Sequence, residues 1–161
     1  GARGRFETIR DIKRGVLYIV DYAHTPDALE KVLKTIHAMV TKQASLISVV
    51  GCGGNRDGAK RPVMGGLAAK WSKEAIFTDD NPRKEDPVSI TDAMQSGVAA
   101  DDREKVLIIN DRKQAIHTAF RLAKKGDIVL VAGKGHETYQ EINGVKHDFD
   151  DRKVIEDIIG N

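Results

Sequence analysis

Val16-Leu17-Tyr18-Ile19-Val20-Asp21-Tyr22-Ala23-His24-Thr25-Pro26-Asp27-Ala28-Leu29 is the stretch whose reading decides the fold. Its first five residues form a short apolar run rich in β-branched side chains, the pattern of a strand buried on both faces. A polar stretch follows. Thr25-Pro26 then opens a helix, with Thr as N-cap and Pro at the first helical position, where its missing N–H costs nothing. Beyond it Ala28, Leu29, Val32, Leu33, Ile36, Met39 and Val40 recur at helical spacing.

The same unit repeats outward. Leu46–Val50, Ala75–Phe77, Val106–Ile109 and Ile128–Val131 read as further strands of the buried kind. The spacing predicts a second helix from near Pro62, burying Met64, Leu67, Ala68 and Trp71, and a third from near Asp86-Pro87. A fourth starts at Asp111, where Asp111 and Gln114 resemble a capping box and Ala115, Ile116, Ala119 and Phe120 supply the apolar stripe. Strands alternating with helices require right-handed crossovers and a mostly parallel sheet. The expected fold class is therefore α/β: a doubly wound, Rossmann-like sheet with helices on both faces. Phe6 to Arg10 is expected to add a strand leading into Lys13-Arg14-Gly15. Gln140 to Phe149 reads as a C-terminal hairpin, because Asn143-Gly144 favours a tight type I′ turn. Val154, Ile155, Ile158 and Ile159 suggest a closing helix. No internal repeat or low-complexity tract interrupts this pattern.

Bulk properties narrow the function. A chain of 161 residues, 40% hydrophobic, fits one globular domain. With 26 Lys and Arg against 24 Asp and Glu, the net charge of +2 gives no general attraction to nucleic acid or anionic lipid, so neither is expected as a partner. Cys52 is the only cysteine, which excludes an internal disulfide framework and a multi-cysteine zinc site. It suits a reducing compartment, and the cytoplasm is the expected location. No apolar run approaches the roughly 20 residues of a membrane span, and the polar, arginine-bearing start does not read as a signal peptide.

In open parallel sheets ligands bind beyond the carboxyl ends of the strands, and here the positions just after each apolar run are polar. The loop Gly51-Cys52-Gly53-Gly54-Asn55-Arg56-Asp57-Gly58 invites a phosphate-binding reading. A Walker A loop anchored at Gly53 would need lysine where Ala59 stands and Ser or Thr where Lys60 stands, and a dinucleotide fingerprint would need glycine in place of Arg56. This chain is thus not expected to bind a nucleoside triphosphate unaided, and a plain glycine-rich turn stays open as the alternative. In Asp79-Asp80-Asn81-Pro82-Arg83, proline stiffens a turn that presents Asn and Arg, whose fork matches a carboxylate or phosphate. Taken alone, such a segment is a commonplace turn. Gly133-Lys134-Gly135-His136-Glu137 follows the last core strand and carries both signs of charge. Arg56, Arg83 and Glu137 together would give one crevice two guanidinium groups and a carboxylate, which suits a zwitterion such as a free amino acid.

Asp21 and His24 sit beside the start of the first helix, and His24 is able to stack on or hydrogen-bond a base or ribose. A surface histidine at a helix start explains His24 equally well. His136 is as readily a turn residue. His24, His37, His117, His136 and His147 show no ligand spacing, so no metal site is expected within the chain. Lys31, Lys34, Lys124 and Lys125 read as solvated charge.

Together, Gly4-Arg5-Phe6-Glu7, Asp21 to Asp27, Gly51 to Asp57 with Lys60-Arg61-Pro62, Thr78 to Arg83, and Gly133 to Glu137 resemble the Mur ligase family, and within it the diaminopimelate-adding branch. The resemblance runs along essentially the whole chain. It departs at Asn55, where the family usually has Asp, and at Ala59, where it usually has glycine. It implies residues 1–5 as the remnant of an interdomain linker, with the origin of Gly1-Ala2 open, and residues 6–161 as the C-terminal, amino-acid-binding domain. In such ligases a central domain uses ATP and Mg2+ to phosphorylate the D-glutamyl γ-carboxylate of UDP-MurNAc-L-Ala-D-Glu, and the amine of meso-diaminopimelate attacks the acyl phosphate. Carried over by motif, Arg56, Asn81, Arg83, Gly133 and Glu137 would bind diaminopimelate, with Asp80 and Pro82 as further members of that loop. Arg5, Asp21 and His24 would face ATP held mainly by the central domain. No residue here is implied as catalytic, and the domain alone is expected to be inactive.

Other readings are a sister ligase accepting lysine or glutamate, a folate polyglutamylating relative, a non-catalytic amino-acid-binding module, and a dinucleotide-binding oxidoreductase domain. The last would need glycines in the first loop, where Asp-Tyr-Ala-His stands.

Overall fold

The computed structural model of the chain describes residues 2–160. Gly1, at the start of the expected linker remnant, and Asn161, at the end of the expected domain, lie outside the described residues.

Strand β1 (Glu7–Asp11) runs antiparallel to β2 (Val16–Asp21). Helix α1 (Pro26–Met39), β3 (Leu46–Val50), α2 (Lys60–Trp71), β4 (Glu74–Phe77), α3 (Pro87–Ser96), a 3-10 turn over Ala100–Lys105 and β5 (Val106–Ile108) follow. Then come α4 (Arg112–Leu122), β6 (Ile128–Ala132), the hairpin β7 (Tyr139–Ile142) and β8 (Val145–Asp148), and α5 (Asp151–Ile159). The main sheet has the order β1-β2-β6-β3-β4-β5, and all of its pairs except β1 with β2 are parallel.

That order follows from handedness. Right-handed crossovers moving from β2 through β3 and β4 to β5 place α1, α2 and α3 on one face. The return to β6, between β2 and β3, places α4 on the other. Alternate strand residues divide accordingly. Leu46 and Val50 of β3 and Leu130 of β6 meet Leu29, Leu33, Ile36, Met64 and Met94 from the first three helices. Ile47, Val49, Val129 and Val131 meet Ala115, Ile116 and Ala119 of α4 and Ile155 and Ile158 of α5. Each fully buried Leu or Ile contributes about 1.5–3 kcal/mol relative to exposure.

The expected caps are present: Thr25 accepts from the Ala28 N–H, Asp86 from Val88 and Asp111 from Gln114. Asn143 and Gly144 both have positive φ, 52° and 79°, as a type I′ hairpin turn demands. Four expectations are corrected. The strand at Val106–Ile108 is not buried on both faces; it is the sheet's outer edge, with Leu107 and Ile108 exposed. Ala28 and Met39 lie on the solvent side of α1, because a 14-residue helix on a sheet buries only the stripe Leu29, Val32, Leu33 and Ile36. Helix α2 starts at Lys60 rather than Pro62, which falls in its first turn, where a missing N–H is harmless. The first strand starts at Glu7, because Phe6 sits at a φ of 45°.

One interaction ties α4, α5 and the sheet end together. Arg112 and Asp151 are fully buried and paired through Nε–Oδ1 and Nη2–Oδ2 contacts of 2.8 Å each. Burial opposes the arginine's charge, but Asp151 outweighs it and holds the guanidinium pKa above its ordinary value. Removing one partner strands a charge in the core. We expect Arg112→Met to lower unfolding stability by about 3–5 kcal/mol in urea titrations, and Arg112→Met with Asp151→Leu to recover most of the loss.

Candidate functional site

The loops after β2, β3, β4 and β6 converge on a cleft of about 190 Å³ at the carboxyl end of the sheet. Tyr22 and His24 come from the first loop, Cys52, Gly53, Arg56 and Lys60 from the second, Asp80, Asn81 and Arg83 from the third, and Gly133 and Glu137 from the fourth. Arg56, Arg83 and Glu137, expected to share one crevice, do so. A larger hollow of about 680 Å³ between α4, α5 and the hairpin contains none of the expected site residues. The smaller cleft is the candidate because charges of both signs converge there, where an open parallel sheet places ligands.

The β3 loop owes its glycines to contact. A Cβ on Gly54 would lie 1.8 Å from the Pro82 carbonyl oxygen, and one on Gly51 2.5 Å from that of Thr78. The 51–54 segment therefore rests directly on the 78–82 loop, and the Gly54 N–H donates to the Asn81 carbonyl at 2.8 Å. Gly51 and Gly54 are required by that close packing.

Arg83 has a φ of 55°, a left-handed conformation uncommon for any residue other than Gly, Asn or Asp. The hairpin holds it there: the Arg83 N–H donates to the Glu141 carbonyl at 2.9 Å, and the Asn143 N–H donates to the Arg83 carbonyl. Its Nη1 donates to the carbonyls of Gly54 at 3.0 Å and Asn81 at 3.4 Å. Glu141 Oε1 lies 3.7 Å from its Nε. Pro82 is buried and stiffens the turn from beneath, outside the lining. Arg56 is exposed, its Nη1 on the Asn55 carbonyl. Gly133 stands at a φ of 117°, where a Cβ would lie 3.0 Å from Asp80 Oδ2.

Lys134 lies at the back of this loop, fully buried, and sequence reasoning did not single it out. Its ammonium donates to Asn81 Oδ1 at 2.9 Å and approaches Glu137 Oε1 at 3.4 Å and Asp80 Oδ1 at 3.5 Å. Asn81 is buried too, and its amide oxygen also accepts from the Glu141 N–H at 2.9 Å while its Nδ2 donates to Glu137 at 3.4 Å. Asn81 is thus largely engaged within the protein. Gln140 Nε2 caps the Asp80 carbonyl at 2.9 Å.

A second missed pair, Arg61 and Glu85, clamps the rim. Nη1 and Nη2 of Arg61 reach Glu85 at 2.6 and 2.9 Å, and Nη2 also donates to the Gly53 carbonyl at 3.0 Å. Glu85 accepts the Asn55 N–H as well, and Asn55, at a φ of 52°, accepts the Lys84 N–H. Asn is among the few residues that tolerate this conformation, which accounts for Asn55 standing at the turn.

On the β2 side the expectations divide. Both oxygens of the Asp21 carboxylate are occupied, by the N–H groups of Phe6 at 2.7 Å and Ala23 at 2.9 Å, so Asp21 fixes the incoming chain rather than presenting an open carboxylate. His24 is exposed at the cleft mouth, its Nδ1 2.8 Å from the Tyr22 carbonyl oxygen. Arg5 is exposed and outside the lining. The Tyr22 hydroxyl pKa is raised by burial and by Glu137 and Asp80, with Arg5 pulling the other way. Burial pushes the Cys52 thiol up to about 12, so it is no nucleophile. Among the described residues no group of three His, Cys, Asp or Glu side chains could hold a metal ion, and no helix is long and apolar enough to cross a membrane.

The sequence model described as "Mur ligase, glutamate ligase domain" matches residues 4–135. The chain belongs to the Mur ligase family. Among curated Mur ligases, it is 57% identical over 155 residues to the UDP-N-acetylmuramoyl-L-alanyl-D-glutamate--2,6-diaminopimelate ligase of Bacteroides thetaiotaomicron, covering 96% of this chain and 32% of the relative. It is 49% identical over 157 residues to the ligase of the same name from Aquifex aeolicus, covering 98% and 31%. A solved structure of a ligase with that name superposes with a TM-score of 0.89 at 48% identity, over 99% of this chain and 32% of that one. A folylpolyglutamate synthase from Thermotoga maritima shares the fold, with a TM-score of 0.61 at 22% identity over 83% of this chain and 28% of that one. The chain thus spans about a third of the length of the curated Mur ligases it matches.

The clamp at the rim carries a pH signature. Arg61, and then the Asn55 N–H, hold the Glu85 carboxyl at about 2, below its ordinary 4.5. A depressed carboxylate adds stability that is complete above the ordinary value and is lost as pH falls toward the folded one. We expect thermal stability to fall between pH 4.5 and about 2, with a shallower fall in Glu85→Gln, measured by melting temperature against pH.

Proposed function

We propose that this chain is the amino-acid-accepting domain of an ATP-dependent ligase that joins meso-diaminopimelate to UDP-MurNAc-L-Ala-D-Glu. The observation that carries the reading is the convergence of Arg83, Arg56 and Glu137 on one small cleft, in a chain about half identical to relatives named for that reaction. ATP and Mg2+ would be held mainly by parts of the protein outside this chain, with His24 and Arg5 facing them. The cytoplasmic setting expected from the single cysteine belongs to the same proposal, as does the absence of nucleic acid or membrane among its partners.

Chemical logic supports it. Diaminopimelate carries two amino-acid heads, and the reaction consumes the amine of one. A cleft of about 190 Å³ is small for a whole cofactor and suited to a single zwitterionic head. Gripping the distal head leaves the other amine free to attack the acyl carbon. The C–N bond forms there, the C–O bond to phosphate breaks, phosphate leaves, and the amine's surplus proton passes to solvent. In this scheme Arg83 and Arg56 meet the distal carboxylate and Glu137 the distal ammonium. Nη1 of Arg83 is committed to backbone carbonyls, so the ligand is offered the Nε–Nη2 edge. Lysine lacks the distal carboxylate and would forgo that contact, leaving Arg83 with only Glu141 3.7 Å from its Nε. Rate comes from placing the amine in line and keeping water from the acyl phosphate, as a closing domain can do.

The test is steady-state kinetics of the full-length protein with ATP, the nucleotide acceptor and either amino acid. Diaminopimelate is expected to be preferred over lysine. Arg83→Ala should lower its kcat/KM by about a hundredfold or more while leaving lysine nearly unchanged. Equal use of lysine by the wild type, or normal diaminopimelate kinetics in Arg83→Ala, would falsify the assignment.

A further inference from the structure

We propose that Lys134 is a positioning residue that presents Glu137 to the amine donor. The inference rests on the reading of the cleft as an amino-acid site and adds a part to it.

Lys134 sits between two glycines at the end of β6, with its side chain fully buried. A lysine in that place must find acceptors for its ammonium inside the protein. It finds three: Asn81 Oδ1 at 2.9 Å and Asp80 Oδ1 at 3.5 Å on the β4 loop, and Glu137 Oε1 at 3.4 Å on its own loop. The Tyr139 ring, its centroid 5.5 Å from Nζ, adds a favourable face on a fourth side. The ammonium therefore joins two loops that the sequence separates by more than 50 residues.

The consequence lies in which oxygen of Glu137 is used. Lys134 and Asn81 Nδ2 both contact Oε1, so the carboxylate is fixed by one oxygen and Oε2 is what it can offer a ligand ammonium. A lone glutamate on a loop would spread over several rotamers and pay their entropy on binding. Fixing it beforehand removes that cost. The ammonium also offsets part of the charge of Asp80 and Glu137 beside it, so the wall can hold two carboxylates and still accept a zwitterion rather than a bare cation.

A lysine that merely stabilised the fold would affect every substrate alike. A positioning lysine acting through Glu137 would affect one. In the full-length ligase, Lys134→Met is expected to raise KM for the amino acid about tenfold or more while KM for ATP and for the nucleotide acceptor stay within about twofold. Lys134→Met with Glu137→Gln should lose about as much as Glu137→Gln alone, because the lysine works through the glutamate. Unchanged amino-acid KM, losses that add, or an equal rise in the KM of all three substrates each overturn the proposal. Should Lys134→Met fail to fold, Lys134→Met with Asp80→Asn, which removes one charge of each sign, is read against Asp80→Asn in the same way. The measurement uses whichever amino acid the wild type accepts. A wild type that prefers lysine would thus refute the substrate assignment and leave the role of Lys134 to be decided separately.

Discussion

Two cations at the carboxyl end of the sheet have no access to water, and the arrangement around them follows from that constraint. Lys134 and Arg112 are both fully buried, so each must be met by acceptors from within the chain. Arg112 takes the Asp151 carboxylate and the carbonyls of Asp79 and Ala132, where the ladders of β4 and β6 run out. Gln140 closes the Asp80 carbonyl beside them. A parallel sheet ends in carbonyls that must be paired with something if they are buried. Here side chains pair them, and the loops carrying the candidate site are held by the same contacts. Such pairs are weak evidence for stability in themselves, since desolvation offsets much of the Coulombic gain. What they supply is a single geometry.

The left-handed backbone of Arg83 depends on that geometry. A non-glycine residue there costs on the order of 1–2 kcal/mol, and it persists because the surroundings over-determine it. The hairpin pairs with its N–H and carbonyl, Pro82 fixes the residue before it, and Nη1 reaches the Gly54 carbonyl because no side chain on the glycine loop intervenes. The hairpin, separated in sequence from the β3 loop by every element from α2 to β6, is thus a wall of the cleft's frame rather than an appendage.

The fold was legible in the sequence because it rests on periodicity and punctuation, which are local. Thr25-Pro26, Asp86-Pro87, Asp111 and Asn143-Gly144 mark their elements by capping and turn chemistry alone. The exposure of β5 was not legible, since a short apolar run such as Val106–Ile109 reads the same on an edge strand as in the centre. In the site, the meeting of Arg56, Arg83 and Glu137 could be foreseen because a parallel sheet brings the residues after its strands to one end. The engagement of Asp21 with Phe6 and Ala23, the burial of Asn81 and the roles of Lys134, Arg61 and Glu85 could not, because each is decided by a partner on another segment. Lys134 did carry a hint: a lysine between two glycines directly after a buried strand has little room to reach solvent.

The guanidinium of Arg83 already has company in the free domain. Glu141 Oε1 stands 3.7 Å from Nε, too far for a hydrogen bond and close enough to balance charge. In the proposed reading, a ligand carboxylate does not meet a bare cation; it replaces one carboxylate with another on the Nε–Nη2 edge. The outgoing contact, at 3.7 Å, is not a hydrogen bond, so it offsets only part of the gain from a ligand carboxylate that makes charge-assisted hydrogen bonds on that edge. That net gain is the discrimination, because a ligand with no distal carboxylate leaves Arg83 with Glu141 and gains nothing there. In that reading the domain gives up its amino acid into a bond each turnover, and selectivity serves it better than tight holding, since binding that is equally strong before and at the transition state does not speed the chemical step.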